Sequence, residues 1–135
     1  MLKKIDHIAI AVKNIDEVLK VWGDVFGVKS EHEEEIPDQG VKAAAVNIGG
    51  VHIEFVEPVK PDTGIAKFVE TRGEGIHHIA FEVEDLEKEL AALEAKDVAL
   101  IDKKPRKGMA GMIAFIHPKA TRGVLLELVE KVEKH

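Results

Sequence analysis

The chain has no cysteine and no tyrosine among its 135 residues. Without thiols there is no disulfide framework, no thiolate zinc site and no cysteine nucleophile, so any metal must be held by histidine or carboxylate. Aromatic residues are only 4%, five Phe and one Trp, too few to line a large aromatic cavity. The 19 Lys and Arg are outnumbered by 25 Asp and Glu, and a net charge of −6 argues against a nucleic-acid-binding face. No apolar run approaches the roughly 20 residues of a membrane-spanning helix. The N-terminal MLKKIDHIAI passes straight into a strand-like pattern with no apolar leader, which predicts a cytoplasmic protein. What is present, 45% hydrophobic and 33% charged residues, is the balance of a soluble globular chain of one-domain length.

An internal repeat organises the chain. IDHIAIAVKNIDEVLKVW begins at Ile5 and IHHIAFEVEDLEKELAAL at Ile76, so that Ile5, His7, Ile8, Ala9, Val12 and Leu19 meet Ile76, His78, Ile79, Ala80, Val83 and Leu90. Farther on, VHIEFVEP from Val51 matches VLLELVEK from Val124, which aligns Glu54 with Glu127 and Glu57 with Glu130. Two segments repeated in the same order predict a single domain, 1–135, built of two repeats near 3–60 and 74–131. A short helix within 61–73 joins them, with Ile65, Phe68 and Val69 on one side.

Each repeat reads as βαβββ. Alternation over Ile5–Val12 predicts a strand, and Asn14 or Asp16 caps a helix that ends at Gly27. Strands follow near 29–36, 41–48 and 51–57, separated by Pro37-Asp38-Gln39-Gly40 and Gly49-Gly50 turns. The second repeat gives a strand at 76–83, a helix from Asp85 to about Ala95, and strands near 98–102, 112–117 and 124–130. The fold class is α+β, with the two modules forming a curved mixed sheet and helices on its outer face.

Strand parity then sorts the polar residues. Ile8, Ile10 and Val12 form a bulky face suited to lie under a helix, and His7 points the other way beside Ala9 and Ala11. In the repeat, Ile79, Phe81 and Val83 are the helix face, and His78 lies with Ala80. His77 takes helix-side parity and is read as structural. Glu54 shares a face with His52 and Val56, and Glu127 with Leu125 and Val129. An ionised carboxylate on an apolar strand face is costly unless paired or coordinated. Duplication thus supplies one His and one Glu at equivalent places in each half. If the modules pair about a pseudo-twofold axis, His7, Glu54, His78 and Glu127 converge as a set suited to one divalent first-row cation.

These stretches are similar to the vicinal oxygen chelate, or glyoxalase-like, superfamily, and within it to the methylmalonyl-CoA epimerase family. The resemblance rests on IDHIAIAVKNIDEVLKVWGDVFG, PDQGVKAAAVNIGGVHIEFVEP, GIHHIAFEVEDL and FIHPKATRGVLLELVE, and runs essentially end to end. The HPK turn before GVLLEL separates it from glyoxalase I, which typically has a D-P-D-G turn there. The resemblance implies a metal-dependent enzyme that interconverts (2R)- and (2S)-methylmalonyl-CoA by α-proton abstraction through a metal-stabilised enolate. It places metal ligands at His7, His78 and Glu127, with Glu54 where some members carry Gln. It implies one divalent metal per site, with Co2+ the first choice and Mn2+, Ni2+ or Zn2+ as alternatives, and a homodimer. Glu127 is the expected base on one face of the substrate, and Glu54, its repeat equivalent, the default on the other. Ala43 stands where some members have an acidic residue proposed as a base.

Coenzyme A carries phosphates, and these need cations. Lys103, Lys104, Arg106 and Lys107 form a basic patch beside the mobile-looking Gly108-Met109-Ala110-Gly111, and Lys119 and Arg122 flank the turn before the last strand. Lys107 and Lys119 are the substrate-binding candidates. The acidic run Glu31, Glu33, Glu34 and Glu35 reads as a solvated strand edge without chemistry. His117 reads as a turn residue, and Lys131–His135 as a frayed tail. The competing functions are a lactoylglutathione lyase of the glyoxalase I type, a metal-free binding module of the same fold, and an extradiol dioxygenase. Metal content and substrate assays separate them.

Overall fold

Short polar side chains fix where the three helices begin. Asn14 accepts a hydrogen bond from the Glu17 N–H at 2.9 Å, Thr63 from Ala66 at 3.1 Å, and Asp85 from Lys88 at 3.1 Å. Each satisfies a donor that has no partner inside its helix. The helices are α1 (Ile15–Phe26), α2 (Gly64–Arg72) and α3 (Leu86–Ala95). Gly27 closes α1 in the left-handed region at φ 70°, where it returns its N–H to the Gly23 carbonyl. The computed structural model describes residues 1–108 and 111–131, and of Asp38 the backbone alone. Met109, Ala110 and residues 132–135 lie outside the described residues, and with them the centre of the expected mobile loop and most of the expected tail.

The eight strands are β1 (Lys4–Ala11), β2 (His32–Ile36), β3 (Val41–Ile48), β4 (Val51–Pro58), β5 (Gly75–Glu82), β6 (Arg106–Lys107), β7 (Gly111–Ile116) and β8 (Leu126–Lys131). The chain divides into two compact units: His7–His77, and Met1–Asp6 together with His78–His135. Strand order is β2-β3-β4-β1 in the first half and β5-β8-β7-β6 in the second. In each half the first strand runs parallel to the last, and the remaining pairings are antiparallel. The register repeats as well: Ala9 lies opposite Glu54, and Ala80 opposite Glu127.

The two faces of each sheet separate as parity predicts. In the first unit Val12, Ile15, Ala44, Val46 and Phe55 form one core with Ile10, Leu19 and Trp22. Trp22 meets Phe55 edge-on with ring centroids 5.1 Å apart. On the opposite face Ala9, Val41 and Val56 pack with Ile36 and with Ile65 of α2. The second unit has the equivalent pair of clusters. Val83, Leu86, Leu90, Ala114, Ile116 and Leu128 lie on the α3 side, and Ala80, Ile113 and Val129 gather with Phe115 on the other.

One strand differs from expectation. Residues 98–102 are not a strand; they make a single bridge, Leu100 to Ile116, and β6 is the short strand beside β7. The reason is a side chain. Phe115 donates its N–H to Asp102 Oδ2 at 2.8 Å, and so its donor goes to a carboxylate instead of a ladder carbonyl. Met1–Asp6 belong with the second unit, where the Lys3 N–H donates to the Glu82 carbonyl at 2.9 Å and Lys131 pairs with Asp6 at 2.6 Å.

Candidate metal centre

Each unit sets a histidine of its first strand beside a glutamate of its last. In the first, the parallel register places Glu54 on β4 beside the β1 segment that carries His7, and parity turns both to the face away from α1. His7 Nδ1 lies 3.4 Å from Glu54 Oε2. In the second, β5 and β8 place His78 Nε2 3.5 Å from Glu127 Oε1. His7, His78 and Glu127 are buried, and Glu54 is half-buried.

These separations are informative. A charge-assisted N–H···O bond closes to about 2.7–2.9 Å. Two ligands bound at about 2.1 Å to a common ion at a tetrahedral angle stand about 3.4 Å apart. Both pairs have the second spacing, and imidazole with carboxylate is a donor set that a divalent first-row cation takes. The residues of each pair therefore fit two ligand positions of a metal.

The surroundings of the two pairs differ. Phe115 stands opposite Glu127 in the β7–β8 register and meets the His78 ring edge-on at 5.3 Å. The Arg106 guanidinium lies over the Phe115 ring at 5.3 Å from its centroid, and its Nε is 3.3 Å from Asp102 Oδ2. Opposite Glu54, at the same place in the first unit, stands Ala45. The residue opposite the glutamate is thus an aromatic ring in one unit and a methyl group in the other.

The structure places the remaining candidates as follows. Lys107 is exposed on β6, and Lys119 is exposed in the 3-10 turn Pro118–Thr121. His117 caps that turn, its Nδ1 accepting from the Lys119 N–H at 3.0 Å, which agrees with its reading as a turn residue. Ala43 is buried, with Glu34 opposite it on one side and Val56 on the other. His77 packs edge-on against Phe68 of α2 at 5.0 Å. Burial, and after it the nearby Arg72 charge, holds the His77 pKa below its ordinary value. Sequence reasoning gave no role to two histidine–carboxylate pairs in the first unit: His52 Nε2 with Glu31 Oε2 at 3.4 Å, and His32 Nε2 with Glu34 Oε2 at 3.2 Å. The alternation of His32 and Glu34 with Ile36 was the available signal, because Ile36 fixes which face they share.

A family model described as the Glyoxalase/Bleomycin resistance protein/Dioxygenase superfamily matches residues 6–115. The chain is 40% identical to the uncharacterized protein YqjC of Bacillus subtilis, with 99% of this chain and 97% of that one aligned. It is 35% identical to the mitochondrial methylmalonyl-CoA epimerase of Dictyostelium discoideum over 95% of this chain and 78% of that one. Among solved structures, a variant of Streptomyces coelicolor methylmalonyl-CoA epimerase in complex with 2-nitronate-propionyl-CoA superposes with a TM-score of 0.91 at 34% identity, covering 98% of this chain and all of that one. The chain belongs to the Glyoxalase/Bleomycin resistance protein/Dioxygenase superfamily.

Proposed function

We propose that this protein is a methylmalonyl-CoA epimerase that interconverts the 2R and 2S thioesters by moving the α-proton. The observation that carries the reading is the pair of register-matched His–Glu sets, one per repeat, at ligand-like spacing. The epimerase relatives supply the substrate class.

In this reading residues 1–135 act as one domain, and His7, Glu54, His78 and Glu127 hold one divalent cation, with Co2+ first among the candidates. The donor types and burial of His7, His78 and Glu127 suit such an ion. Bound there, it supplies a Lewis acid toward the thioester oxygen, on which negative charge builds as the α-proton leaves. Glu127 takes that proton on one face. Its burial, with Phe115 opposite it in the register, keeps bulk water from the carboxylate. His7 and His78 orient the carboxylates paired with them. Inversion needs a second acid–base group on the opposite face, and repeat equivalence makes Glu54 its first candidate. In this reading the exposed Lys107 and Lys119 meet the coenzyme's phosphates, and the enzyme works as a cytoplasmic homodimer. Among the described residues no helix is long and apolar enough to cross a membrane.

The test is proton exchange. Methylmalonyl-CoA of one configuration is given in D2O to chelator-treated protein with and without added Co2+. The expected result is cobalt-dependent deuterium uptake with loss of configuration. No uptake, with turnover of the methylglyoxal–glutathione adduct instead, would move the enzyme to the lactoylglutathione lyase reaction.

A further inference from the structure

Glu127 stands in a row of three side chains on one face of the second unit, opposite Ala80 on β5 and Phe115 on β7. Residues directly opposite one another share a face, with Cβ atoms about 4.5–5.5 Å apart. Ala80 ends at its methyl group, so Phe115 is the one neighbour in this row as long as the glutamate. Its ring is half-buried, packed with Ala80, Ile113 and Val129 and meeting the His78 ring edge-on at 5.3 Å. The fold does not require a ring in that place, because the first unit has Ala45 there, opposite Glu54.

The ring is also held. Ile113 has the parity of Phe115 and lies opposite Arg106 on β6, so the Arg106 side chain rises from the same face, one diagonal step from the ring. Its guanidinium lies over the ring at 5.3 Å from the centroid, where a cation is attracted to the π face. Asp102 Oδ2 accepts from the Arg106 Nε at 3.3 Å and from the Phe115 N–H at 2.8 Å. One carboxylate thus anchors both the backbone that carries the ring and the cation that covers it.

A carbon passes its proton to a carboxylate only from near-attack distance, about 3–3.5 Å. A substrate α-carbon that close to Glu127 brings its substituent against the one long apolar neighbour of the row. We propose that Phe115 is the specificity-determining residue for the α-substituent of the acyl-CoA. Its ring fits the methyl group of methylmalonyl-CoA and excludes a longer chain, and Arg106 and Asp102 are the positioning residues that keep the ring from swinging aside. All four residues belong to the second unit. The simpler explanation of Phe115 is that it completes the packing beside Ile113 and shields His78. On that explanation a smaller side chain slows every thioester alike, whereas the proposal requires a change in the ratio between two of them.

This inference rests on the epimerase reading with Glu127 at the α-carbon, and the experiment is chosen so that the two can fail separately. Wild type, F115A, F115L and R106M are loaded with Co2+ and checked for equal metal content and melting temperature. Epimerisation kcat/KM is measured for methylmalonyl-CoA and for ethylmalonyl-CoA, whose substituent is one methylene longer. The coenzyme is common to both, so any lost phosphate contact cancels in the ratio. Wild type is expected to favour the methyl substrate by roughly tenfold or more, the range that one methylene spans in an apolar pocket. F115A is expected to bring the ratio near one and F115L to an intermediate value. R106M, which keeps the ring and removes the cation over it, is expected to lower the ratio about threefold. If F115A fails to fold or to load metal, F115L carries the test. A wild-type ratio near one would overturn the proposal, as would the wild-type ratio in every folded Phe115 variant. An unchanged ratio in R106M would remove Arg106 from its positioning role. Wild type that epimerises neither thioester would instead overturn the epimerase reading.

Discussion

Glu130 Oε1 accepts a hydrogen bond of 2.7 Å from the backbone N–H of Leu86, the first residue of α3. Its repeat equivalent Glu57 does the same for Ile15, the first residue of α1, also at 2.7 Å. The last strand of each repeat thus carries two glutamates with different duties three residues apart. Glu54 and Glu127 face the histidines, and Glu57 and Glu130, at opposite parity, tie the helix N-terminus to the sheet. A carboxylate there also meets the positive end of the helix dipole.

Replacing Glu130 with alanine is therefore expected to leave the Leu86 N–H without its acceptor in a part-buried place, at a cost of about 1–2 kcal/mol. E130Q retains an oxygen and should cost less than half of that. Urea denaturation checks both, and Co2+ binding should be unchanged in each.

Removing a member of the His–Glu pairs is expected to act in the opposite way. H78A and E127A should fold, lose tight Co2+ binding and lose deuterium exchange into the substrate. Wild type should melt higher with Co2+ than after chelation, since a ligand at 100 times its Kd stabilises by about 2.7 kcal/mol. Equal melting temperatures, with no bound metal by elemental analysis, would remove the metal centre.

Much of this arrangement could be read from the residues. Asn14, Asp85 and Gly27 announce the helix ends because each has a local reason to be there: a side-chain acceptor, or freedom to adopt positive φ. The His7, Ala9 and His78, Ala80 parities were legible because alternation in a strand is a strict period of two. What escaped depended on tertiary partners. The loss of a strand at 98–102 turns on Asp102 capturing the Phe115 N–H, thirteen residues away. The capping duty of Glu57 and Glu130 needs each last strand to lie beside the start of its own helix. His32 and Glu34 sat within a run that looks like solvated charge, and only the register with Ala45 and Ala43 gives them a direction.

His77 tests the parity argument from the other side. Its ring rests on Phe68, so H77A is expected to cost about 1 kcal/mol from lost ring contact and burial. It should keep metal and keep at least half of wild-type exchange activity. If H77A lost the metal while H78A kept it, the strand would be offset by one residue and the assigned ligand would be wrong.

Asp6 and Lys131 give a prediction in pH. Asp6 is buried, and the Lys131 ammonium lies 2.6 Å from its Oδ1. The hydrogen bond to Asp6 is the largest influence on Lys131 and raises its pKa above the ordinary 10.5, against a smaller opposing effect of burial. A lysine whose pKa is higher folded than unfolded binds its proton more tightly in the native state. Its contribution is therefore complete below 10.5 and is lost as pH rises through the raised value. Wild type should lose stability more steeply than K131Q as pH rises above the ordinary lysine value of 10.5, and the two curves should run parallel from about pH 7 to pH 9. Over that lower range K131Q should be less stable by about 1–2 kcal/mol, below the 3–5 of a fully buried pair because the ammonium is still reached by water. Superimposable curves for wild type and K131Q across the whole range would show that the pair does not form in solution.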